Sequence, residues 1–322
     1  MVLKIFITGI AGFIGSHTGE RLINEGHHVI GIDNFDPFYP KSFKEFNLEN
    51  LQKSDLFTFY NADIRDQNAL KKIFETHQID LVIHLAAKAG VRPSIDNIED
   101  YYDVNINGSL ALLEVMKSSG VKKIVFASSS SVYGNNSKIP FAEADVVDHP
   151  ISPYAATKKS GELLCHVYSH LYGFDITCLR FFTVFGPKQR PDLAIHKFTH
   201  LIDSGKEIPF YGDGSTARDY TYVDDIVDGV ILASKNLSGY KVYNLGESRV
   251  ITLKELIQSI EKHTGKKALI NELPLQPGDV EKTYADIAKA KTEINYDPRF
   301  SFDEGIKRFV EWYNLNKKRL YN

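Results

Sequence analysis

KIFITGIAGFIGSHTGERLIN, residues 4–24, is the stretch on which the fold turns. Its first part, Lys4–Thr8, is a short apolar run of strand type, and residues 16–24 carry an amphipathic helical pattern. Between them stand Gly9, Gly12 and Gly15. Glycine at these points lets the chain turn sharply from strand into helix and brings bare backbone close to whatever lies in front of it.

Outward from this stretch, residues 29–33, 57–61, 81–85, 123–128 and 176–181 read as further buried strands. Residues 68–76, 106–118 and 154–172 read as helices between them. Alternation of this kind predicts an α/β fold, a doubly wound parallel sheet with helices on both faces. Beyond residue 182 the regularity breaks at Gly186-Pro187, Arg190-Pro191, 212–214 and 276–279. A dinucleotide-binding domain is therefore expected over residues 1–180, with a return strand near 242–245, and a smaller α/β substrate lobe over 181–322. Residues 35–50 (FDPFYPKSFKEFNLEN) are an aromatic, proline-containing insertion that reads equally as a mobile flap or a packed surface loop.

The chain of 322 residues is 43% apolar and 25% charged, ordinary for a globular protein. A net charge of -3 supplies no basic field for nucleic acid. Two cysteines, Cys165 and Cys178, make neither a disulfide framework nor a zinc spacing, and read as buried thiols in a reducing compartment. The N-terminus lacks the pattern of a signal peptide, and no apolar run approaches the roughly 20 residues that span a bilayer. A cytoplasmic protein is expected, with no membrane partner. His166 and His170 share a helical face, which reads as a packed or solvated surface, and no metal is expected.

The glycine turn, with Phe13 and Ile14 inside it, opens a helix whose free N–H groups suit a pyrophosphate. Asp33, followed by Asn34, ends the second strand, where a carboxylate accepts bonds from ribose hydroxyls and repels a 2′-phosphate. NAD is thus the expected cofactor. Asp63-Ile64 stands where adenine would lie, with an ordinary helix N-cap as the alternative reading of Asp63. Leu85-Ala86-Ala87 closes the fourth strand with small residues. Tyr154 and Lys158 share one helical face. A tyrosine hydroxyl ordinarily titrates near about 10, and a nearby ammonium together with the positive nicotinamide would favour the phenolate. Tyr154 could then take a proton from a carbinol as hydride leaves its carbon. Ser128-Ser129-Ser130-Ser131 ends the fifth strand, where doubly wound sheets bind ligands.

Together these residues resemble the extended short-chain dehydrogenase/reductase superfamily over essentially the whole chain. The resemblance implies a Rossmann-type fold, Ser129 as the catalytic serine beside Tyr154 and Lys158, and Asn105, Phe181 and Val184 in the cofactor site. It also implies a homodimer built as a four-helix bundle from helices near 100–118 and 154–173. Within the superfamily, AAKAGVRPS (86–94), SPYAATKKSGE (152–162), LRFFTVFGPKQRPDLA (179–194), PFYGDGSTARDYTYVDDI (209–226) and QPGDVEKTYAD (276–286) are similar to the UDP-glucuronate 4-epimerases. That family implies a UDP-sugar substrate and a transient 4-keto intermediate with recycled NAD. Arg218 would hold the diphosphate, with Arg92, Arg190, Tyr211 and Asp279 around the nucleotide sugar. Ser129, Ser130, Ser131 and Thr183 would ring the sugar carboxylate. Lys188-Gln189 replaces the Trp-Gly common in the family, and Pro93 stands where an aromatic residue is common. The dehydratases and decarboxylases of the superfamily carry carboxylates where this chain has Ser130 and Ser131. An epimerase of neutral UDP-hexoses or UDP-N-acetylhexosamines is the nearest alternative. A UDP-glucuronate decarboxylase and an NAD-binding protein without turnover follow it.

Overall fold

The structure, a computed structural model, describes residues 2–274 and 282–321. The first six strands are β1 (Lys4–Thr8), β2 (His28–Asp33), β3 (Phe57–Asn61), β4 (Leu81–His84), β5 (Lys123–Ser129) and β6 (Asp175–Phe181). The later ones are β7 (Thr183–Phe185), β8 (Glu207–Tyr211), β9 (Ala217–Tyr222), β10 (Tyr240–Leu245), β11 (Val250–Thr252) and β12 (Leu269–Leu273). Helices α1 (Phe13–Asn24), α2 (Lys41–Leu48), α3 (Gln67–Thr76), α4 (Val91–Asp96), α5 (Ile98–Tyr102), α6 (Ser109–Ser118) and α7 (Pro153–Tyr172) connect the early strands. Then come α8 (Ala194–Asp203), α9 (Val223–Lys235), α10 (Leu253–Thr264), α11 (Ala288–Ile294) and α12 (Phe302–Tyr321).

Seven strands form one parallel sheet in the order β10-β6-β5-β4-β1-β2-β3. Side chains alternate across a strand, so β1 sends Ile5 and Ile7 into one core and Phe6 into the other. The first core is closed by α1 and α9 through Leu22, Ile226 and Val230. The second is closed by α3, α6 and α7 through Leu70, Leu112 and Tyr168. Strand order reverses between β1 and β4, which leaves a crevice at their carboxyl ends, the place where such sheets bind ligands.

After β6 a single residue, Phe182, separates the large sheet from β7, which joins β9 and β11 in a three-stranded sheet, while β8 pairs with β12. Phe185, Tyr220 and Phe302 hold this region together, with ring centroids 5.3 Å apart for Phe185–Phe302 and 5.5 Å for Tyr220–Phe302. Among the described residues no helix is long and apolar enough to cross a membrane.

Two expectations need correction. The insertion at 35–50 is not a loop throughout, because it folds into α2. Buried Tyr39 and Phe43 anchor it, and Asn47 donates to the Ala11 carbonyl at 2.9 Å, so it packs on the glycine turn. The helix expected over 106–118 is interrupted at its start by a π turn, Asp103–Gly108, and α6 proper begins at Ser109.

Candidate active site

The glycine turn has the shape of a cradle. Gly9 has φ +71°, and a Cβ there would stand 2.8 Å from the Ala86 nitrogen. A Cβ on Gly15 would stand 2.2 Å from the Gly9 carbonyl oxygen. Gly12 caps α1 without any side-chain bond, so the first N–H groups of the helix face the crevice with their dipole unopposed. Before it lies a cavity of about 420 Å³ lined by Gly9, Gly12, Phe13, Ile14, Gly15, Asp33, Asn34, Asp63, Ile64, Leu85, Ala86 and Ala87. The same cavity continues past Ser128, Ser129, Tyr154, Lys158, Phe181, Thr183 and Val184 to Arg190. A bare backbone cradle, a helix N-terminus and a buried carboxylate at one end fit a dinucleotide such as NAD.

Asp33 is buried, accepting from the Ala11 N–H at 3.2 Å and the Phe35 N–H at 2.9 Å, and burial pushes its carboxyl up. Lys44 of α2 stands 4.0 Å away, a partner that no spacing in the sequence announced. Asp63 is not the helix cap. Its carboxylate binds the Arg65 guanidinium and accepts from Asn34 at 2.8 Å, and Arg65 holds it down at about 2. The cap of α3 is Asp66, which accepts from the Asn68 and Ala69 N–H groups, both at 3.0 Å.

Helix α7 presents Tyr154 and Lys158. Ser152 caps it through the Ala155 N–H at 3.1 Å, Pro153 opens it, and Gly173 ends it in the left-handed conformation. Lys158 is buried and donates to the Ala127 carbonyl at 2.8 Å, with its Nζ 6.0 Å from the Tyr154 ring centroid. Desolvation brings the ammonium down to about 8. The chain alone does not lower the Tyr154 hydroxyl as the Tyr/Lys spacing led us to expect. Burial raises it, and the opposing pull comes from the Ser129 hydroxyl and the Arg190 charge, not from Lys158, whose ammonium is committed to a carbonyl.

The serine cluster divides. Ser129 faces the cavity, donates to the Ser131 hydroxyl and accepts the Ser131 N–H, both at 3.1 Å. Ser128 donates to Glu162 at 2.7 Å. Ser130 and Ser131 do not line the cavity, so the expected ring of hydroxyls reduces there to Ser129 and Thr183. The reason is the one-turn 3-10 helix Ser130–Tyr133, which swings the chain away after the strand end. Glu162 in turn takes a bidentate bond from Arg180 at 2.8 Å on both oxygens, a buried pair beneath the strand end that no motif signalled.

Arg190 lies at the cavity wall, bonded to Asp192 at 3.0 and 2.7 Å and stacked 4.8 Å over Phe38. Arg92 sits 4.9 Å from the Tyr211 ring centroid, and Arg218 rides on β9 with one nitrogen on the Ala217 carbonyl at 3.0 Å. None of Arg92, Tyr211 and Arg218 lines the cavity. Asp279 falls outside the described residues. Asn105 also stands back from the cavity, where its amide grips both backbone groups of Lys88 and the Thr157 hydroxyl. Lys188-Gln189 is absorbed structurally. Lys188 pairs with Glu20 at 2.7 Å, and buried Gln189 spans the Val184 carbonyl and the His196 N–H. Phe38, Tyr39 and Lys44 join the wall from the insertion, whose aromatic content was the only sequence signal for them.

The family profile described as GDP-mannose 4,6 dehydratase matches residues 6–309. A UDP-glucuronate 4-epimerase from Thermodesulfobacterium geofontis is 50% identical over 311 residues, 96% of each chain. Among solved structures, UDP-glucuronic acid 4-epimerase from Bacillus cereus, in complex with UDP-glucuronic acid and NAD, is 38% identical. It superposes with a TM-score of 0.92 over 99% of this chain and 100% of that one. UDP-glucose 4-epimerase from Thermotoga maritima, with UDP-glucose, is 36% identical with a TM-score of 0.90 over 98% of this chain and 100% of that one. By profile, by relatives and by fold, the chain belongs to the GDP-mannose 4,6-dehydratase family of NAD-dependent epimerases and dehydratases.

Proposed function

We propose that this protein inverts C4 of UDP-glucuronate to give UDP-galacturonate, and the reverse, with NAD as a recycled cofactor. The observation that carries this reading is that Tyr154, Lys158, Ser129 and Thr183 open into the same cavity as the glycine cradle. NAD, when bound on Gly9, Gly12, Gly15 and Asp33, supplies a two-electron acceptor that takes electrons from C4 and returns them. Tyr154 removes the C4 hydroxyl proton and later gives it back, with Ser129 sharing it. Lys158, whose descent to about 8 leaves it charged at neutral pH, stands one helical turn on from Tyr154 with its Nζ 6.0 Å from the Tyr154 ring centroid and would hold the nicotinamide ribose. Inversion requires the keto sugar to show its other face, so the anchoring groups belong on the diphosphate. Arg218, Arg92 and Arg190 are the guanidinium groups suited to it. The 4-keto acid has its carboxylate beta to a ketone and is prone to lose CO2. Ser129 and Thr183 offer neutral hydroxyls to that carboxylate, and no acid stands at 130 or 131 to serve a dehydration.

A cytoplasmic homodimer is part of the same reading. Tyr102 at the end of α5, Leu110 in α6, and Leu163, Val167 and Leu171 along α7 are exposed apolar side chains on the helices that would pair.

The deciding experiment incubates the purified protein with UDP-glucuronate, UDP-glucose and UDP-N-acetylglucosamine separately and resolves the products chromatographically. Conversion of UDP-glucuronate to UDP-galacturonate without net NADH is expected. Turnover of the neutral sugars alone, or UDP-xylose with CO2 as the main product, would overturn the assignment.

A further inference from the structure

His84, at the end of β4, lies outside the cavity and takes no part in the chemistry above, yet it sits in a chain of hydrogen bonds that is buried from Thr8 to Thr157 and half-buried at its two ends. In the sheet it is the register partner of Thr8, the residue before the glycine turn. The Ala86 N–H donates to the Thr8 hydroxyl at 3.1 Å, and that hydroxyl lies 2.7 Å from His84 Nδ1. On the other side His84 Nε2 is 3.0 Å from the Ser109 hydroxyl, which donates to the Asn105 carbonyl at 2.6 Å. The Asn105 amide donates to the Thr157 hydroxyl at 2.9 Å, and Thr157 donates to the Tyr154 carbonyl at 2.8 Å. Thr8, His84, Asn105, Ser109 and Thr157 are all buried.

Donor counting fixes the histidine. A carbonyl only accepts, so the single hydroxyl hydrogen of Ser109 is used on Asn105, and Ser109 must accept from His84. Nε2 therefore carries the hydrogen. The Ala86 N–H only donates, which leaves the Thr8 hydrogen for Nδ1. Every donor and acceptor is satisfied by one neutral tautomer, whereas an imidazolium would strand the Thr8 hydrogen in a dry interior.

We propose that His84, held as the neutral Nε2–H tautomer, is a positioning residue that ties the glycine turn of β1 to Tyr154 on α7. The tie passes through the π turn Asp103–Gly108, a widened turn of a kind often found at functional sites. It sets the spacing between the cofactor cradle and the hydroxyl that moves the proton. Burial and the charge of Lys158, the ionisable group that bears on it from α7, hold the imidazole down at about 3, while β1 and the start of α6 present Thr8 and Ser109. Neutrality also spares Lys158 a second buried positive charge.

The inference rests on the epimerase reading for its kinetic arm only. In the holoenzyme, His84→Phe keeps a ring against Phe126, whose centroid is 5.4 Å from that of His84, but removes both nitrogens. It is expected to lower kcat about tenfold or more with KM for the UDP-sugar within about twofold, since small misplacements of reacting groups act on the chemical step. His84→Gln, whose terminal amide can donate to Ser109, is expected to recover most of that loss. The second arm needs no turnover. In wild-type protein labelled with 15N-histidine, with His84 assigned by the Gln variant, its nitrogens are expected to keep the neutral Nε2–H signature from about pH 8 to about pH 5. A kcat within about twofold of wild type for His84→Phe, equal losses in Phe and Gln, or protonation of His84 in that range would overturn the proposal. Wild-type protein inactive on every UDP-sugar would strike the epimerase reading instead, and the nitrogen spectrum would still decide the tautomer.

Discussion

Tyr154 holds its proton more tightly than a free tyrosine, because the surrounding protein opposes a charge on the phenol more than Ser129 and Arg190 favour it. A base poised this way gains its phenolate only when further positive charge arrives beside it. Tyr154→Phe is therefore expected to lower kcat by roughly 10²-fold or more, the usual scale for a general base, with NAD content of the purified protein unchanged. Near-normal turnover in that variant would remove Tyr154 from the mechanism. Thr183, at the start of β7 on the cavity wall, is the residue assigned to the sugar carboxylate. Thr183→Asn is expected to weaken turnover of UDP-glucuronate relative to UDP-glucose, measured as the ratio of kcat/KM values. An unchanged ratio would defeat the carboxylate pocket.

Among the contacts that hold helix α7 are its Ser152 cap, the Thr157 bond to Asn105 and a close approach to β5. The last depends on Gly161. A Cβ there would stand 2.3 Å from the Phe126 ring, and that ring also lies beneath His84 and 5.6 Å from the Lys158 Nζ. The ring has little freedom to give way in a packed core. Gly161→Ala is expected to cost about 1–3 kcal/mol of stability by overpacking, read as a lower guanidinium midpoint. Because the same displacement moves Lys158, kcat should fall with it. A midpoint equal to wild type would mean that the ring has room to shift.

At the scale of the molecule, the crevice between β1 and β4 meets the smaller sheets across the cavity, and buried carboxyls join the segments behind it. Asp219 accepts from the N–H groups of Glu247, Ser248 and Ala285 at 2.9, 3.0 and 3.1 Å. Burial pushes Asp219 up to about 6, while burial followed by the Asp219 charge pushes Glu247 up to about 7. Oε2 of Glu247 has no hydrogen-bond partner. A folded-state value above the unfolded one means that the native chain binds more protons, between about 4.3 and about 7 for Glu247 and between about 3.9 and about 6 for Asp219, so each lowers stability as pH rises through its window. Glu247→Gln should then be more stable than wild type at pH 8 by about 1 kcal/mol, or about 1–2 °C in Tm for a chain of this length, after allowing for the part of the carboxyl that water still screens. That advantage should vanish at about pH 5, where the native carboxyl is already protonated. A difference independent of pH would refute this account. The outer face of α7 supplies the other test at this scale. Leu163 is 56% exposed and Leu171 61%, on a face that a globular monomer has no reason to leave apolar. If the proposed dimer forms, wild type is expected to sediment as a dimer and Leu163→Arg combined with Leu171→Arg as a folded monomer. An unaltered sedimentation coefficient would place the interface elsewhere.

By itself the sequence determined the alternation of strands and helices, the glycine cradle, Asp33 at its strand end and the Tyr154/Lys158 pair on one helical face. These are properties of neighbours in the chain: a turn's steric demands, a period of side chains, a helical spacing of four. Only the tertiary structure decided that Ser129 faces the cavity while Ser130 and Ser131 do not, that Lys44 stands beside Asp33, and that Asp66 rather than Asp63 caps α3. It likewise decided that burial, not Lys158, governs the Tyr154 hydroxyl of the chain alone. Burial and hydrogen-bond partners are set by residues far apart along the chain, as Thr8 and His84 are by 76 positions and Asn105 and Thr157 by 52, and no local pattern encodes such a meeting.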